Sequence, residues 1–559
     1  MDMIALPRVG DEVTRNLLEI RGAANACATT LRIVRREETL ELHIDAADPD
    51  MLELIATVSP VGTDGFLYDE DCVQLATVHR DDAAAREMII INARGSRKGS
   101  AAAQDWPVEC RLHETGWRMR IDVPLPAGAD AIGLSVHRFF RGVDHEVHSL
   151  NDALPHPLDI TRCLVVVLND DDADAVAATF VRSITDARAE ALNATLAAVR
   201  AQMHAADVGG PRADLATAQR FAETALTVEV GTGRGCWNEL HLPSVLLNRW
   251  ELDGDRRWLD ALVPRIETIW SRRADRTGEV DVNSRKVQAT WYETIESGGA
   301  ICLTTGVTLG AIARFMRMVH EDRAPAEYRA AIEPWKKLMR ESIAVHDYEW
   351  QELPGGQGMY IEPYLKGPRR MYPGTQRYNG SRICPLNRAF FLAMPMLNMA
   401  HVLGDDHYRH RVERMARYFR ANCDNTAHGG LTWEYHIGRY PSEGEDLSHA
   451  ACQWMFAEMC MRDGIVWTEA DLKRIVTTLD RDVFRHGDVP CGTVRGYWPG
   501  LCFEIAAWST ACRYAPHLLA KIVRVLETAM HVGRFDFQRQ GWGVRLLTLV
   551  EKARRLVQT

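Results

Sequence analysis

Several features that would classify a protein quickly are missing from this sequence. No uninterrupted apolar run approaches the ~18–20 residues that a membrane-spanning helix needs, so a membrane partner is not expected. Residues 1–30 lack the basic start, apolar stretch and small-residue cleavage site of a secretory signal, and the chain reads as soluble and cytoplasmic. The 13 cysteines are scattered singly, without a CxxC or CxxxC pair, which excludes a zinc ribbon or dithiol redox motif and fits a reducing interior. Basic residues are outnumbered, 66 against 76, and the resulting net charge of −10 argues against a nucleic-acid partner. No His/Cys/Asp/Glu group stands at metal-ligand spacing, so neither a metal nor a cofactor is expected. Gly231-Thr232-Gly233-Arg234-Gly235 lacks the Lys-Ser/Thr of a phosphate loop. No fixed-period repeat is present, which excludes a solenoid of short units.

What remains is an ordinary globular composition, 46% apolar and 25% charged, over 559 residues, a length that implies more than one domain. Residues 1–165 alternate apolar and polar positions in short runs. Examples are Leu40 to Ile44, Cys72 to Leu75, Met88 to Ile91 and Trp117 to Ile121, separated by Gly-, Pro- and Asp-rich turns. That pattern predicts an antiparallel β-sandwich. The ordered segments FLYDEDCVQL, MIIINARGS, GWRMRIDVPL and IGLSVHRFFRG resemble the family 9-type carbohydrate-binding module over about residues 30–142.

An acidic break at 169–175 opens a helical linker, residues 166–213, whose Ala-rich helix ends at Gly209-Gly210-Pro211. Across residues 214–559 the helical period dominates. Segments around 237–250, 298–319, 386–403, 447–461 and 501–514 are apolar nearly all round. They alternate with one-sided segments around 255–273, 327–345, 406–421, 468–483 and 518–532. Helices apolar on every face are buried, and one-sided helices lie outside. The alternation predicts an (α/α) toroid, a barrel of helical hairpins.

In such a toroid the inner helices aim their starts at one cleft. Three polar stretches stand beside those starts: Arg377-Tyr378-Asn379-Gly380-Ser381-Arg382 leading to Asn387 and Arg388; Trp433-Glu434-Tyr435-His436 with Arg439 and Tyr440 behind; and Glu445-Asp446-Leu447-Ser448-His449. Asp446 is placed as an N-cap, which makes His449 the third helical residue, where the helix dipole favours the neutral imidazole that a base requires. The long Gly- and Tyr-rich loop 351–382 adds Tyr360, Glu362, Tyr364, Lys366, Arg369, Arg370 and Tyr372, a mixture suited to acidic sugars. Each residue also has a structural reading: His449 and Asn387 as helix-terminus groups, Trp433 and Tyr435 as strand core.

Pro385, Asn387 and Arg388, then Trp433 and Tyr435, then Glu445, Asp446, Ser448 and His449 resemble, in type and order, the helical-toroid polysaccharide lyases and related uronate-acting enzymes. The resemblance implies a metal-independent lyase that cleaves a uronate-containing saccharide by β-elimination. His449, Tyr435 and Tyr440 would share the acid and base roles, and Asn387 would neutralise the carboxylate. Arg388, Arg377, Tyr378, Trp433, Glu445, Tyr360 and Arg370 would hold the acidic carbohydrate. A glycoside hydrolase on the same toroid is the alternative, pairing Glu445 or Asp446 with Glu239, Glu293, Glu296, Glu362 or Glu434. A C5-epimerase would use the same residues as the lyase. A non-catalytic carbohydrate-binding protein is the reading from another class.

Overall fold

The structure, a computed structural model, describes residues 3–6, 8, 10–16, 18–21, 29–47, 72–79, 86–92, 97–113, 116–125, 129, 131–139, 147–149, 164–168, 173–227, 241–281, 284–292, 299–361, 383–435, 444–533 and 541–558. They divide into two compact units, one holding the described residues up to Ala194 and the other those from Thr195 onward.

The first unit is built from strands β1 (Met3–Ala5), β2 (Glu12–Asn16), β3 (Leu18–Arg21), β4 (Thr29–Arg35), β5 (Thr39–Ala47), β6 (Cys72–His79) and β7 (Arg86–Asn92). They are followed by β8 (Arg97–Gly99), β9 (Val108–His113), β10 (Gly116–Pro124), β11 (Ala131–Phe139), β12 (Val147–Ser149) and β13 (Leu164–Val167). One sheet runs β1-β13-β11-β6-β7-β8, with β12 pairing β11 and β3; the other runs β2-β4-β5-β10-β9. Every pair is antiparallel except β1 with β13. Period-two alternation sets the register. Leu42, Ile44 and Ala46 of β5 stand opposite Ile121, Met119 and Trp117 of β10, and all six are buried. They pack with Leu31 and Ile33, Val73 and Leu75, Ile89 and Ile91, and Ile132 and Leu134 in one apolar layer fed by both sheets. This is the β-sandwich that the alternation predicts.

Helix α1 (Ala173–Gly209) begins in the first unit and ends in the second, at the glycine expected to stop it. The second unit continues with α2 (Leu215–Thr227), α3 (Leu242–Asp253), α4 (Arg257–Ser271), α5 (Cys302–His320), α6 (Arg329–Ala344), α7 (Leu386–Leu403), α8 (Asp406–Ala421), α9 (Leu447–Arg462) and α10 (Glu469–Thr478). A 3₁₀ helix, Phe503–Arg513, precedes α11 (His517–His531) and α12 (Gly541–Gln558).

Neighbour relations close these helices into a ring. α3 packs on α5, α5 on α7, α7 on α9, α9 on the 3₁₀ helix, that helix on α12, and α12 back on α3. α2, α4, α6, α8, α10 and α11 lie outside against them. Among the described residues this is a six-hairpin (α/α) toroid, one hairpin more than the sequence pattern marks. The missed pair is α12 inside and α2 outside.

The inner helices run in one direction. Cys302 and Cys384, at the starts of α5 and α7, lie 3.4 Å apart, and Asn387 near the start of α7 accepts through its carbonyl from Cys452 of α9. At the other end Arg317 of α5 and His401 of α7 both meet Asp463, the C-cap of α9. Gly306 marks the closest approach of α5 and α7: a Cβ there would fall 2.3 Å from the Phe391 carbonyl carbon, so a side chain is excluded.

The loop 351–382 is not irregular throughout. Its beginning forms a hairpin of β14 (Trp350–Leu353) and β15 (Gln357–Tyr360). A second short pair, β16 (Asp424–Asn425) and β17 (Leu431–Thr432), precedes Trp433. No helix among the described residues is long and apolar enough to cross a membrane.

Candidate functional site

The start of α9 gathers three of the expected groups. Asp446 caps the helix, its Oδ1 accepting from the backbone N–H of Ser448 at 2.9 Å and of His449 at 3.1 Å, and from the Ser448 hydroxyl at 2.6 Å. The first helical turn then brings the His449 imidazole back onto the cap. Its Nδ1 makes an ion pair with Asp446 Oδ2 and stands 3.5 Å from Glu445 Oε1. Glu445 is fully buried and receives Gln453 Nε2 at 2.9 Å from one turn further along. The Tyr435 ring stacks on His449, with centroids 5.2 Å apart and planes 27° from parallel.

Charge in this cluster differs from the sequence expectation. Burial disfavours an imidazolium and the helix dipole opposes it too, but Asp446 and Glu445 outweigh both and raise His449 to about 10. His449 is therefore a protonated acid at neutral pH, which corrects its reading as a neutral base. Glu445, taken out of water, is pushed up to about 7 even though it faces His449. Asp446 is partly desolvated as well, yet the bonds from His449 and Ser448 hold its carboxyl below the usual range.

The expectation of no metal-spaced group also changes. Donor atoms of Glu445, Asp446 and His449 lie within 4.8 Å of one another, because an N-cap residue, its predecessor and the third helical residue meet at one turn. The positive charge in that space is the imidazolium itself, and a metal would have to displace its proton.

Asn387, the second residue of α7, is buried, and its side-chain Oδ1 has no hydrogen-bond partner among the described residues. A buried carbonyl left free is costly unless something binds it. Arg388 is partly buried beside it.

Other expected binding residues are placed elsewhere. Trp433 is fully buried, edge-on to Phe419 at 5.3 Å and stacked with Trp508 at 6.4 Å, which is a packing position. Tyr360 is fully buried as well, donating to Met396 Sδ at 3.3 Å, and burial pushes its phenol pKa up. Glu434 is ion-paired to Arg495 at 2.8 Å. Tyr440, Arg377, Tyr378 and Arg370 lie outside the described residues, as do His436, Arg439, Tyr364, Lys366, Arg369, Tyr372, Glu239, Glu293, Glu296 and Glu362.

A second feature escapes sequence reasoning. The ring encloses a cavity of about 610 Å³ lined from all six inner helices, and no residue of the His449 cluster lines it. Its wall carries His241, Asn248 and Glu251 of α3, Arg314 and Arg317 of α5, Asn398 of α7, Glu458 and Arg462 of α9, Arg513, and Arg545 and Lys552 of α12. Arg317 makes two 2.9 Å bonds to Asp463, and Arg513 stands 3.1 Å from Glu458. Glu251 takes both Arg314 and Lys552, which hold its carboxyl down at about 2 against its burial.

No protein-family model and no curated protein matches this sequence. Among solved structures, a family 9 carbohydrate-binding module from Caldicellulosiruptor kristjanssonii in complex with cellotriose is similar at 11% identity. That match covers 31% of this chain and 96% of the other, with a TM-score of 0.23. The α-1,6-mannanase of Salegentibacter sp. HEL1_6 is similar at 13% identity over 60% of this chain and 98% of the other, with a TM-score of 0.37. The cellobiose 2-epimerase of Spirochaeta thermophila matches at 13% identity over 60% and 86%, with a TM-score of 0.36. No residue role is carried over from any of them.

Proposed function

We propose that this protein is a carbohydrate-active enzyme working by proton transfer at the start of α9, and that its reaction is β-elimination in a uronate-containing saccharide. The observation that carries the reading is the placement of His449, held at Nδ1 between two carboxylates and stacked against the ring of Tyr435. A buried acid that holds one imidazole nitrogen leaves the other to face a substrate, the arrangement by which carboxylate–histidine pairs orient a proton carrier.

The charge of His449 assigns the roles. Elimination removes the C5 proton, places the electron pair between C4 and C5, and expels O4, which must be protonated. An imidazolium can give that proton. Tyr435, as its phenolate, is then the group to take the C5 proton, and passing that proton from the phenol to the neutral His449 restores the phenolate and the imidazolium. Asn387 would meet the substrate carboxylate, where enolate charge develops, through its Nδ2 donor, since the unpartnered Oδ1 is itself an acceptor. Gln453 keeps Glu445 in place, and Glu445 acts through His449 rather than on substrate.

Of the carboxylates proposed for a hydrolase, Glu445 is fully buried and Glu434 is paired to Arg495. Neither offers a free oxygen opposite Asp446, while Glu239, Glu293, Glu296 and Glu362 lie outside the described residues, and the product distinguishes the two reactions.

The test is to incubate the full chain with uronate oligosaccharides and follow the ultraviolet absorbance of the unsaturated product. His449→Ala, Tyr435→Phe and Asn387→Ala should each slow the reaction at least ~100-fold with folding intact. Because the three serve one transition state, a double variant should lose far less than the two single losses combined. New reducing ends without absorbance would mean a hydrolase, and inversion at C5 without cleavage an epimerase. Near-normal rates in all three variants would remove the site assignment.

A further inference from the structure

We propose that the axial cavity of the toroid is a second ligand site, separate from the His449 cluster, which takes a small hydroxylated molecule bearing a carboxylate or phosphate, with Arg545 as its anchor.

Arg545 lies deep in the ring on α12, and among the described residues its guanidinium meets only neutral partners. These are His241 Nδ1 at 3.1 Å, Met455 Sδ at 3.3 Å and the Trp542 ring, whose centroid is 5.4 Å away. A guanidinium offers five N–H donors in a fork that matches an oxyanion, and a desolvated charge without a counter-ion is destabilising. Next along the wall, Arg314 and Lys552 share the single carboxylate of Glu251. Three cations therefore face one anion in this part of the cavity.

The titration of these groups agrees with that shortage. Burial and the nearby Arg314 bring Arg545 down to about 10 and Lys552 to about 8. Towards the other end the cations are matched, Arg317 by Asp463 and Arg513 by Glu458. Arg462, the other wall cation without a carboxylate partner among the described residues, is exposed to water, so the unmatched charge held away from solvent lies in the deep part, where an oxyanion would complete it.

The remaining wall suits the rest of such a ligand. The volume of about 610 Å³ falls in the ~300–1,000 Å³ range of small-molecule sites. Asn398 offers an amide to hydroxyl groups. Arg323 and Leu556 line the cavity and are exposed, so it reaches solvent at the C-terminal ends of the inner helices. The His449 cluster sits at their N-terminal ends, and the two sites use opposite mouths of one ring. This inference does not rest on the elimination reading.

Calorimetric titration of the full chain with inorganic phosphate, with glucuronate and with glucose as the uncharged control tests it. Phosphate or glucuronate should bind more tightly than glucose at one site, and whichever does identifies the head group. Arg545→Met should weaken that binding at least ~10-fold, with a melting temperature equal to or above that of the parent, because a half-buried cation without a carboxylate partner among the described residues is removed. Should Arg545→Met fail to fold, Lys552→Gln is expected to weaken binding in the same sense. Neither anion binding better than glucose, or unchanged affinity in the folded variant, would overturn the proposal. His449→Ala should bind phosphate as the parent does; loss of phosphate binding there would place the anion in the cluster and refute a separate site.

Discussion

Between the two sheets of the first unit, Leu42, Ile44, Ile121, Met119 and Trp117 meet as a continuous apolar layer. At the centre of the ring, six inner helices meet around a cavity whose wall mixes arginine, lysine, glutamate and asparagine with methionine, phenylalanine, valine and leucine. Both interiors are enclosed by regular elements with buried apolar faces, but only the sandwich fills the enclosed space. The difference teaches where function lies. A filled interior gives cohesion and leaves a domain to act through its surface, whereas an open lumen of mixed polarity gives up packing that a bound molecule can restore.

The strongest way to break this comparison is to cut into the sandwich. Trp117→Ala should destabilise the first unit by ~3–5 kcal/mol, measured by denaturant unfolding. A loss under ~1 kcal/mol would mean that this core collapses around the gap and is less closely packed than its burial indicates.

The pH dependence of stability sharpens the contrast, because the two units respond with opposite sign. His449 is raised from 6.5 to about 10, so its contribution is complete below 6.5 and lost as pH climbs towards 10. Glu445, raised from 4.5 to about 7, adds a loss in the same direction between those values. In the sandwich, burial works against the charge of Glu41, yet Arg36, His43 and Arg120 hold its carboxyl below 4.5. Its contribution is present above 4.5 and disappears as pH falls through the folded value. The stability difference between parent and His449→Gln should therefore shrink as pH rises above 6.5. The difference between parent and Glu41→Gln should shrink as pH falls below 4.5. Flat differences in chemical denaturation across either range would remove the assigned charge states.

The smallest expected effect lies on the outer layer of the ring. Thr468 and Asp471 form a capping box at the start of α10. Thr468→Ala should lower stability by ~0.5–2 kcal/mol, read by thermal melting, and leave turnover per folded molecule unaltered. A comparable loss of turnover would show that the outer helices are coupled to the site.

Much of the architecture could be read from periodicity, since burial on one face or on all faces is a local property of each helix. Strands β5, β6, β7 and β10 and five of the hairpins fall where alternation and helical period place them. The sixth inner helix was missed for a physical reason. α12 carries Arg545, Glu551 and Lys552, and an inner helix that turns charge towards a lumen has the one-sided pattern of an outer one. The site was legible in its residue types and less so in their states. Asp446 as a cap for His449 follows from spacing alone, but the charge on the imidazole depends on the burial of Glu445, which no local pattern reports. The cations of the cavity come from helices far apart in the chain, so only the closed ring brings them together.

That closure has a consequence for how the chain is made. Asn248 of α3 donates to Thr548 of α12 across 300 residues of sequence, and Arg545 meets His241 across 304. During synthesis the first hairpin must wait, with the buried side of α3 bare, until nearly all the rest of the helical unit has left the ribosome. Contacts of such long range slow folding, and apolar surface exposed in the interval favours aggregation. The ring should therefore assemble late and all at once, while the sandwich, whose strands are complete within the first 168 residues, can fold as soon as it emerges.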